Sequence, residues 1–189
     1  MEYFTKNTFS KECALLGYNY YLLLCAQGIF PNPIAPSLAP DSELPPSPSR
    51  RSRSDPRVSI ISVLYLFYKY QLHHSDMALN LATSLIYLED TPTDRLESFV
   101  QTAARTGNAT FNLVVYTAYL AHAWNDDITI RLKDWFTDVG KIYFSTVSEM
   151  NCFVWDLLSE LKCFSLFADE RRVRRNIRKL CQSPTDLLL

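Results

Sequence analysis

The chain has 189 residues, of which 48% are hydrophobic, and this is enough for one core of ordinary size but too little for two full domains. Its formal net charge is −1, so no overall field draws it towards nucleic acid or an anionic membrane, and such binding would need a local patch. Only four glycines occur, and long stretches separate the turn signals, which argues against a meander of short strands. We therefore predict an all-α protein.

Residues 1–30 form the first predicted unit, an N-terminal helical segment. Its apolar run, "CALLGYNYYLLLCAQG", follows Lys11 and has about the length of a secretory signal peptide, which is the alternative interpretation. Asn19 and three tyrosines interrupt the run, and it is shorter than the roughly 20 residues that cross a bilayer. We favour a helix that docks on the main core, and we expect no membrane partner.

Residues 31–57 form a predicted disordered tether. Eight of the ten prolines and six serines lie between positions 31 and 56, with almost no large apolar side chain, so the segment cannot bury enough surface to offset the entropy of ordering it. Ser47 is followed by a proline and then, at Arg50, by a basic residue, the arrangement that kinases of the cyclin-dependent class prefer. Ser47 is therefore a phosphorylation candidate, and its modification would add about two negative charges.

Residues 58–168 contain a series of helical segments separated by short connections. The first, "VSIISVLYLFYKYQL", is apolar on most sides, as expected near the centre of a bundle. Ser75 and Asp76 are predicted to cap the second helix, and Pro92 to end it or to open the next. The segment "ATFNLVVYTAYLAHAW" is almost wholly apolar, so we predict that it is buried and that the polar residues behind it end the helix. Ser148 and Glu149 are predicted to open the last helix of the series.

The chemistry of an enzyme is missing from these segments. The histidines are His73, His74 and His122, and neither they nor the five cysteines have the spacing of a metal site. No Gly-rich phosphate loop and no nucleophile elbow occur. We predict a protein that is not an enzyme and that has no metal and no cofactor. The odd number of cysteines is typical of free thiols in a reducing compartment, which predicts a nuclear or cytoplasmic location.

Several of the helical segments resemble, in order, parts of the cyclin box, the five-helix repeat of cyclins. The stretch "NLATSLIYLED" is similar to its second helix, "VVYTAYLAHAWNDD" to its third, and "DWFTDVGKIYFSTVSEMNCFVWDLLSELKCFSL" to its fourth and fifth. The last match is the most specific, because a tryptophan-bearing short helix is followed by a valine-glycine turn and a glutamate-hydrophobic-asparagine start. Short cyclins of the Pho type are the most similar members. Speedy/RINGO proteins, which share a "YLA" helix followed by acids, are the lesser match.

The resemblance implies both a fold and a function. The fold is a single five-helix cyclin-like box with an N-terminal docking helix and a short basic C-terminal helix. The function is that of a non-catalytic regulatory subunit, which binds a cyclin-dependent protein kinase as a heterodimer. Two outcomes of this binding stay open, activation of the kinase and binding alone.

In kinase-activating cyclins, the third helix carries a lysine that contacts the kinase and pairs with a glutamate of the fifth helix. The resemblance places His122 at the lysine position and Val154 at the glutamate position, so this ion pair cannot form here. The alternative for His122 is a core or rim histidine whose second nitrogen bonds a backbone carbonyl. Trp135 and Trp155 are expected to pack in the core. The implied partner-facing residues are Tyr119, His122, Asn125, Asp126, Glu149, Phe153 and Val154.

The C-terminal segment, residues 169–189, is strongly basic. Val173, Ile177 and Leu180 form the apolar edge of a predicted short helix. Its basic patch comprises Arg171, Arg172, Arg174, Arg175, Arg178 and Lys179. Three interpretations stay open: contact with the phosphates of nucleic acid, a nuclear address, or the solvated last helix of the domain.

Two alternatives to a kinase regulator follow. One is a cyclin-fold transcription or nucleic-acid-binding factor that uses the basic segment, similar to the general transcription factor IIB family, although nucleic acid is the less favoured partner. The other is a protein-interaction scaffold that has lost kinase binding.

Overall fold

The computed structural model describes residues 10–30, 57–103, 109–127, 129–161 and 166–182. These residues form eight α-helices and no strand, which confirms the all-α prediction. A 3-10 turn, Gly140–Ile142, lies between the sixth and seventh of them. The helices are α1 (Lys11–Ala26), α2 (Arg57–Lys69), α3 (His74–Asp90), α4 (Thr93–Ala103), α5 (Ala109–Asn125), α6 (Leu132–Asp138), α7 (Val147–Glu160) and α8 (Glu170–Cys181). The predicted tether, apart from its last residue, and Ser47 within it lie outside the described residues.

Helices α3 and α5 form the centre of the bundle. Helix α5 packs against α2, α3, α4 and α7, and α3 packs against α1, α5 and α8. Their apolar sequences explain this position: residues 77–88 are buried with one exception, and so are residues 111–122. The predicted burial of the α5 segment is thus confirmed. Helix α2, also expected near the centre, is an outer helix, since it buries one side and exposes Ile61 and Tyr68 on the other.

Helix α1 docks on the bundle, as predicted, through contacts with α2, α3 and α8. Leu16, Tyr20 and Leu24 lie on one side of α1 and are fully buried. Burying such a side chain stabilises a fold by about 1.5–3 kcal/mol, so this one side is enough to hold the helix in place. Gly17 permits the close approach to α2, because a Cβ atom at this position would lie only 2.8 Å from Cδ1 of Leu64.

The buried Asn19 side chain ties α1 to the end of α8. Its Nδ2 donates hydrogen bonds to the carbonyl oxygens of Leu180 and Gln182, each at 2.8 Å. The last carbonyls of an α-helix have no partner inside their own helix, so Asn19 supplies the donor from another element. This contact explains why a polar residue interrupts the apolar run of α1.

Two helix starts differ from the predicted ones by two or three residues. Helix α3 has His73 at its N-cap position, and the His73 side chain makes no capping hydrogen bond. Ser75 and Asp76 therefore lie in the first turn, where the acid interacts favourably with the positive end of the helix dipole. Helix α7 is capped by Thr146, whose hydroxyl accepts a hydrogen bond from the Glu149 amide at 3.1 Å. The residue predicted as its cap therefore lies inside the helix.

Helices α3 to α7 lie within residues 58–168, and α2 begins one residue earlier, at Arg57. Thr93–Ala103 forms a helix of its own between the segments that resemble the second and third helices of the cyclin box. None of the described helices combines the length and the apolar character that are needed to cross a bilayer.

Candidate functional site

His122 is completely buried near the C-terminal end of α5. Its Nε2 lies 2.9 Å from the backbone nitrogen of Ile130. Because a backbone N–H can only donate, Nε2 must accept, and the ring proton therefore lies on Nδ1. Nδ1 in turn lies 2.5 Å from Oδ2 of Asp126, to which it donates. Both ring nitrogens thus have partners within the chain, and one holds the segment that follows α5.

Helix α3 contributes to the same polar cluster. The Asn80 side chain is fully buried, and its Nδ2 donates to Oδ2 of Asp126 at 2.7 Å. Nδ2 of Asn125 donates to Oδ1 of Asn80 and to the hydroxyl oxygen of Thr83, at 3.0 Å each. We call this set the His122 cluster; its members are Asn80, Thr83, His122, Asn125 and Asp126. Such a network favours this packing of α3 against α5, because another packing would leave its fully buried members, Asn80, Thr83 and His122, without partners.

The surroundings of His122 are otherwise aromatic. Its ring lies 5.5 Å from the Phe67 ring of α2, and Phe67 lies edge-on to Trp135 of α6 at 6.1 Å. Tyr119, one turn before His122, also packs edge-on against Trp135, at 5.3 Å. Trp135 is fully buried, as predicted. These contacts support the interpretation of His122 as a core histidine, although its second nitrogen accepts from a backbone amide and does not bond the expected carbonyl.

Val154 and Phe153 lie in a second packing region, between α7 and its neighbours. Each is only 6% exposed. The Phe153 ring contacts the rings of Tyr116 at 5.6 Å and Phe99 at 5.2 Å, and these belong to α5 and α4. The position at which the resemblance expects a glutamate therefore faces the interior, and an apolar residue fits there.

The predicted partner-facing residues consequently do not form one exposed surface in this structure. His122, Phe153 and Val154 are buried, and Tyr119, Asn125 and Asp126 are half-buried. Glu149 is exposed, but its carboxylate accepts a hydrogen bond from the Ser145 amide at 2.7 Å and so supports the start of α7. The structure brings His122, Asn125 and Asp126 together in the His122 cluster.

Two tryptophans are exposed on the same two helices. Trp124 on α5 and Trp155 on α7 are each 57% accessible to solvent. The expectation that Trp155 packs in the core is wrong, because the buried side of α7 is set by Met150, Phe153 and Leu157, and Trp155 lies off that stripe. One acid directly follows Trp155 in the sequence, and two acids lie just after Trp124. These acidic neighbours are the sequence signal for an outward position of both tryptophans.

The basic patch of α8 contains two arginines that pair with carboxylates of other described residues. The Arg172 guanidinium lies 2.6 Å from the Asp90 carboxylate and 2.9 Å from that of Glu89, both at the end of α3. These hydrogen bonds raise the pKa of Arg172 above its usual range. Arg174 pairs with Glu170 one turn earlier, at 2.5 Å. Two of the six predicted patch residues therefore bind carboxylates of this chain.

Within the described ranges, no group of three or more His, Cys, Asp and Glu side chains is placed to hold a metal ion. Comparison with known proteins found no matching family model, no similar curated protein and no similar solved structure.

Proposed function

We propose that this chain is a non-catalytic, cyclin-like regulatory subunit that binds a cyclin-dependent protein kinase. The order of the segments that resemble the cyclin box supports this proposal, as does a helical bundle in which α5, the segment similar to the third box helix, packs against four others. Catalysis would stay with the kinase. The subunit would act by burying surface against it and by shifting a conformational equilibrium of the kinase that already exists.

The exposure of Trp124 and Trp155 is the observation that carries the proposal. They lie on α5 and α7, which correspond to the two helices that the resemblance implies as partner-facing. Tryptophan is enriched at the energetic centres of protein interfaces, where its truncation typically reduces binding by about 2 kcal/mol or more. A large aromatic side chain that is left in water by its own fold gains most from burial in a partner.

The buried positions of His122 and Val154 define how this contact would differ from that of activating cyclins. The lysine-glutamate pair of those cyclins is absent at these two positions. The His122 imidazole is instead hydrogen-bonded to Asp126 and to the Ile130 amide. The interface we propose is therefore apolar and aromatic at its centre. The His122 cluster supports it indirectly, since it fixes the end of α5 from which Trp124 projects.

Affinity capture of the full-length chain from native lysate, followed by mass spectrometry, tests the proposal. The wild type is compared with a Trp124→Ser/Trp155→Ser double variant and with a matched Tyr18→Ser/Tyr68→Ser control, whose two tyrosines are each 51% exposed on α1 and α2. We expect wild type and control to recover a cyclin-dependent kinase, and the tryptophan variant to recover at least tenfold less. Recovery of no kinase by the wild type, or equal recovery by the tryptophan variant, would overturn the proposal.

A further inference from the structure

Helix α8 presents a row of arginines away from the bundle. Val173, Asn176 and Leu180 are buried against the neighbouring helices, so the opposite side of α8 faces solvent. On that side, three arginines are separated by four and then by three positions in the sequence. This spacing keeps them on one helix face over a length of roughly 10 Å. We call this row the α8 stripe; it consists of Arg171, Arg175 and Arg178, all of them exposed.

Among the described residues, no acid is paired with the stripe. The acids nearest to it have other roles: Asp169 caps α8 by accepting from the Arg172 amide at 2.9 Å, and Glu170 pairs with Arg174. In the part of the chain that the structure describes, no carboxylate forms an ion pair with any member of the stripe. Three like charges on one helix face repel one another, so an external anion would relieve this repulsion.

An exposed phenylalanine lies next to the stripe in the sequence. Phe167 is 70% exposed, while Leu166 and Ala168 on either side of it pack against the core. The carbonyl oxygen of Leu166 accepts a hydrogen bond from the Tyr87 hydroxyl at 2.6 Å, which anchors this segment to α3. The backbone beneath Phe167 is therefore held in place, and its ring projects into solvent four residues before the first arginine of the stripe.

We infer that the α8 stripe and Phe167 together form a binding surface for single-stranded nucleic acid. Arginine is the preferred residue for phosphate, because its planar guanidinium donates two parallel hydrogen bonds. Proteins that bind single strands without strong sequence preference combine cations along the phosphate backbone with an aromatic ring on which a base stacks. The exposed aromatic residue favours this ligand over a phosphorylated protein, which would need the arginines alone. The surface does not include the tryptophans of α5 and α7, and the inference does not depend on kinase binding.

The full-length protein can be titrated into a fluorescent 15-nucleotide oligo-dT strand, or into an RNA strand of the same length, while anisotropy is measured at several salt concentrations. Three phosphate contacts predict a slope of log K against log salt of about −2, since single strands release about 0.7 counterions per neutralised phosphate. We expect Arg171→Gln/Arg175→Gln/Arg178→Gln to weaken binding at least tenfold and to flatten this slope. Phe167→Ser should weaken binding roughly five- to a hundredfold and leave the slope unchanged.

A matched control separates the stripe from general charge. Lys11, Lys133 and Lys141 are exposed cations on other parts of the molecule, and replacing all three with glutamine changes the net charge by the same amount. This control should bind like the wild type, and circular dichroism should show all variants to be folded. The inference is overturned if the wild type does not bind at low salt or if the control variant loses as much affinity as the stripe variant. Stripe-dependent binding to a phosphoserine peptide or an anionic vesicle, without binding to either strand, overturns it too.

Discussion

His122→Leu is the substitution that tests most directly whether the imidazole has a structural role. Leucine fills a similar volume and restores apolar contacts with Phe67, but it can neither accept from the Ile130 amide nor donate to Asp126. The substitution therefore removes two hydrogen bonds at a site that is completely buried.

The expected loss follows from these contacts. A buried backbone N–H without an acceptor costs about 1–3 kcal/mol. The Asp126 carboxylate is partly exposed and keeps the hydrogen bond from Asn80 at 2.7 Å. Losing the hydrogen bond between His122 and Asp126 should therefore cost only about 1 kcal/mol. Together these effects predict a decrease of about 2–4 kcal/mol in the free energy of unfolding. The whole free energy of unfolding of such a protein is about 5–15 kcal/mol, so this decrease is large enough to measure.

Urea denaturation followed by circular dichroism measures this change, and thermal unfolding should show a midpoint lower by about 5–15 °C. His73→Leu is the matched control, because His73 is exposed and its substitution should alter stability by less than about 0.5 kcal/mol. In a double-mutant cycle, His122→Leu and Asp126→Ala should couple by about 1–2 kcal/mol. If His122→Leu were as stable as the wild type within about 0.5 kcal/mol, the structural role assigned to the imidazole would be refuted.

Other substitutions test the contacts that hold the helices together. Asn19→Ala leaves the two terminal carbonyls of α8 without their donor and should lower the free energy of unfolding by about 1–3 kcal/mol in urea denaturation. Arg172→Met should lower it by about 1 kcal/mol at low salt and by less at 1 M salt, since its ion pairs with α3 are partly exposed. Gly140→Ala would place a Cβ atom 2.5 Å from Sδ of Met150, and this overpacking should lower the thermal midpoint by an amount equivalent to about 1–3 kcal/mol. Burial raises the pKa of Tyr116 above its ordinary value of 10.0, so the neutral phenol stabilises the fold below pH 10 and this contribution is lost as the pH rises above it. Tyr116→Phe should therefore reduce the alkaline loss of stability by about 1.4 kcal/mol per pH unit, which urea denaturation at pH 10 to 11 measures.

The positions of the helices could be predicted from the sequence because they depend on local patterns. An apolar segment such as α5, with no polar side, can only be buried, and the run in α1 predicts a helix that docks on a core. The acids after Trp124 end α5, as expected from their low helix propensity and the helix dipole. Helix starts depend on which of several neighbouring polar residues takes the cap position, and Thr146 is the cap of α7 although Ser148 was predicted.

The partners of polar side chains could not be predicted in the same way. The role of His122 depends on Asn80 of α3, 42 positions away, and that of Asn19 on carbonyls more than 160 positions away. The sequence does not distinguish the ion-paired Arg172 from the exposed arginines of the α8 stripe. Nor does it distinguish the buried Trp135 from the exposed Trp155. Each of these distinctions depends on which helix faces lie together.

The amino-acid sequence by itself thus determined an all-helical protein, the burial of its most apolar segment and the docking of its N-terminal helix. Periodicity and propensity act over one or two helical turns, and they are sufficient for those results. Only the tertiary structure decided that His122 is a buried support and that Trp124, Trp155 and the α8 stripe face solvent. A side chain is buried only where a second surface packs against its helix, and the sequence of that helix alone does not specify the second surface.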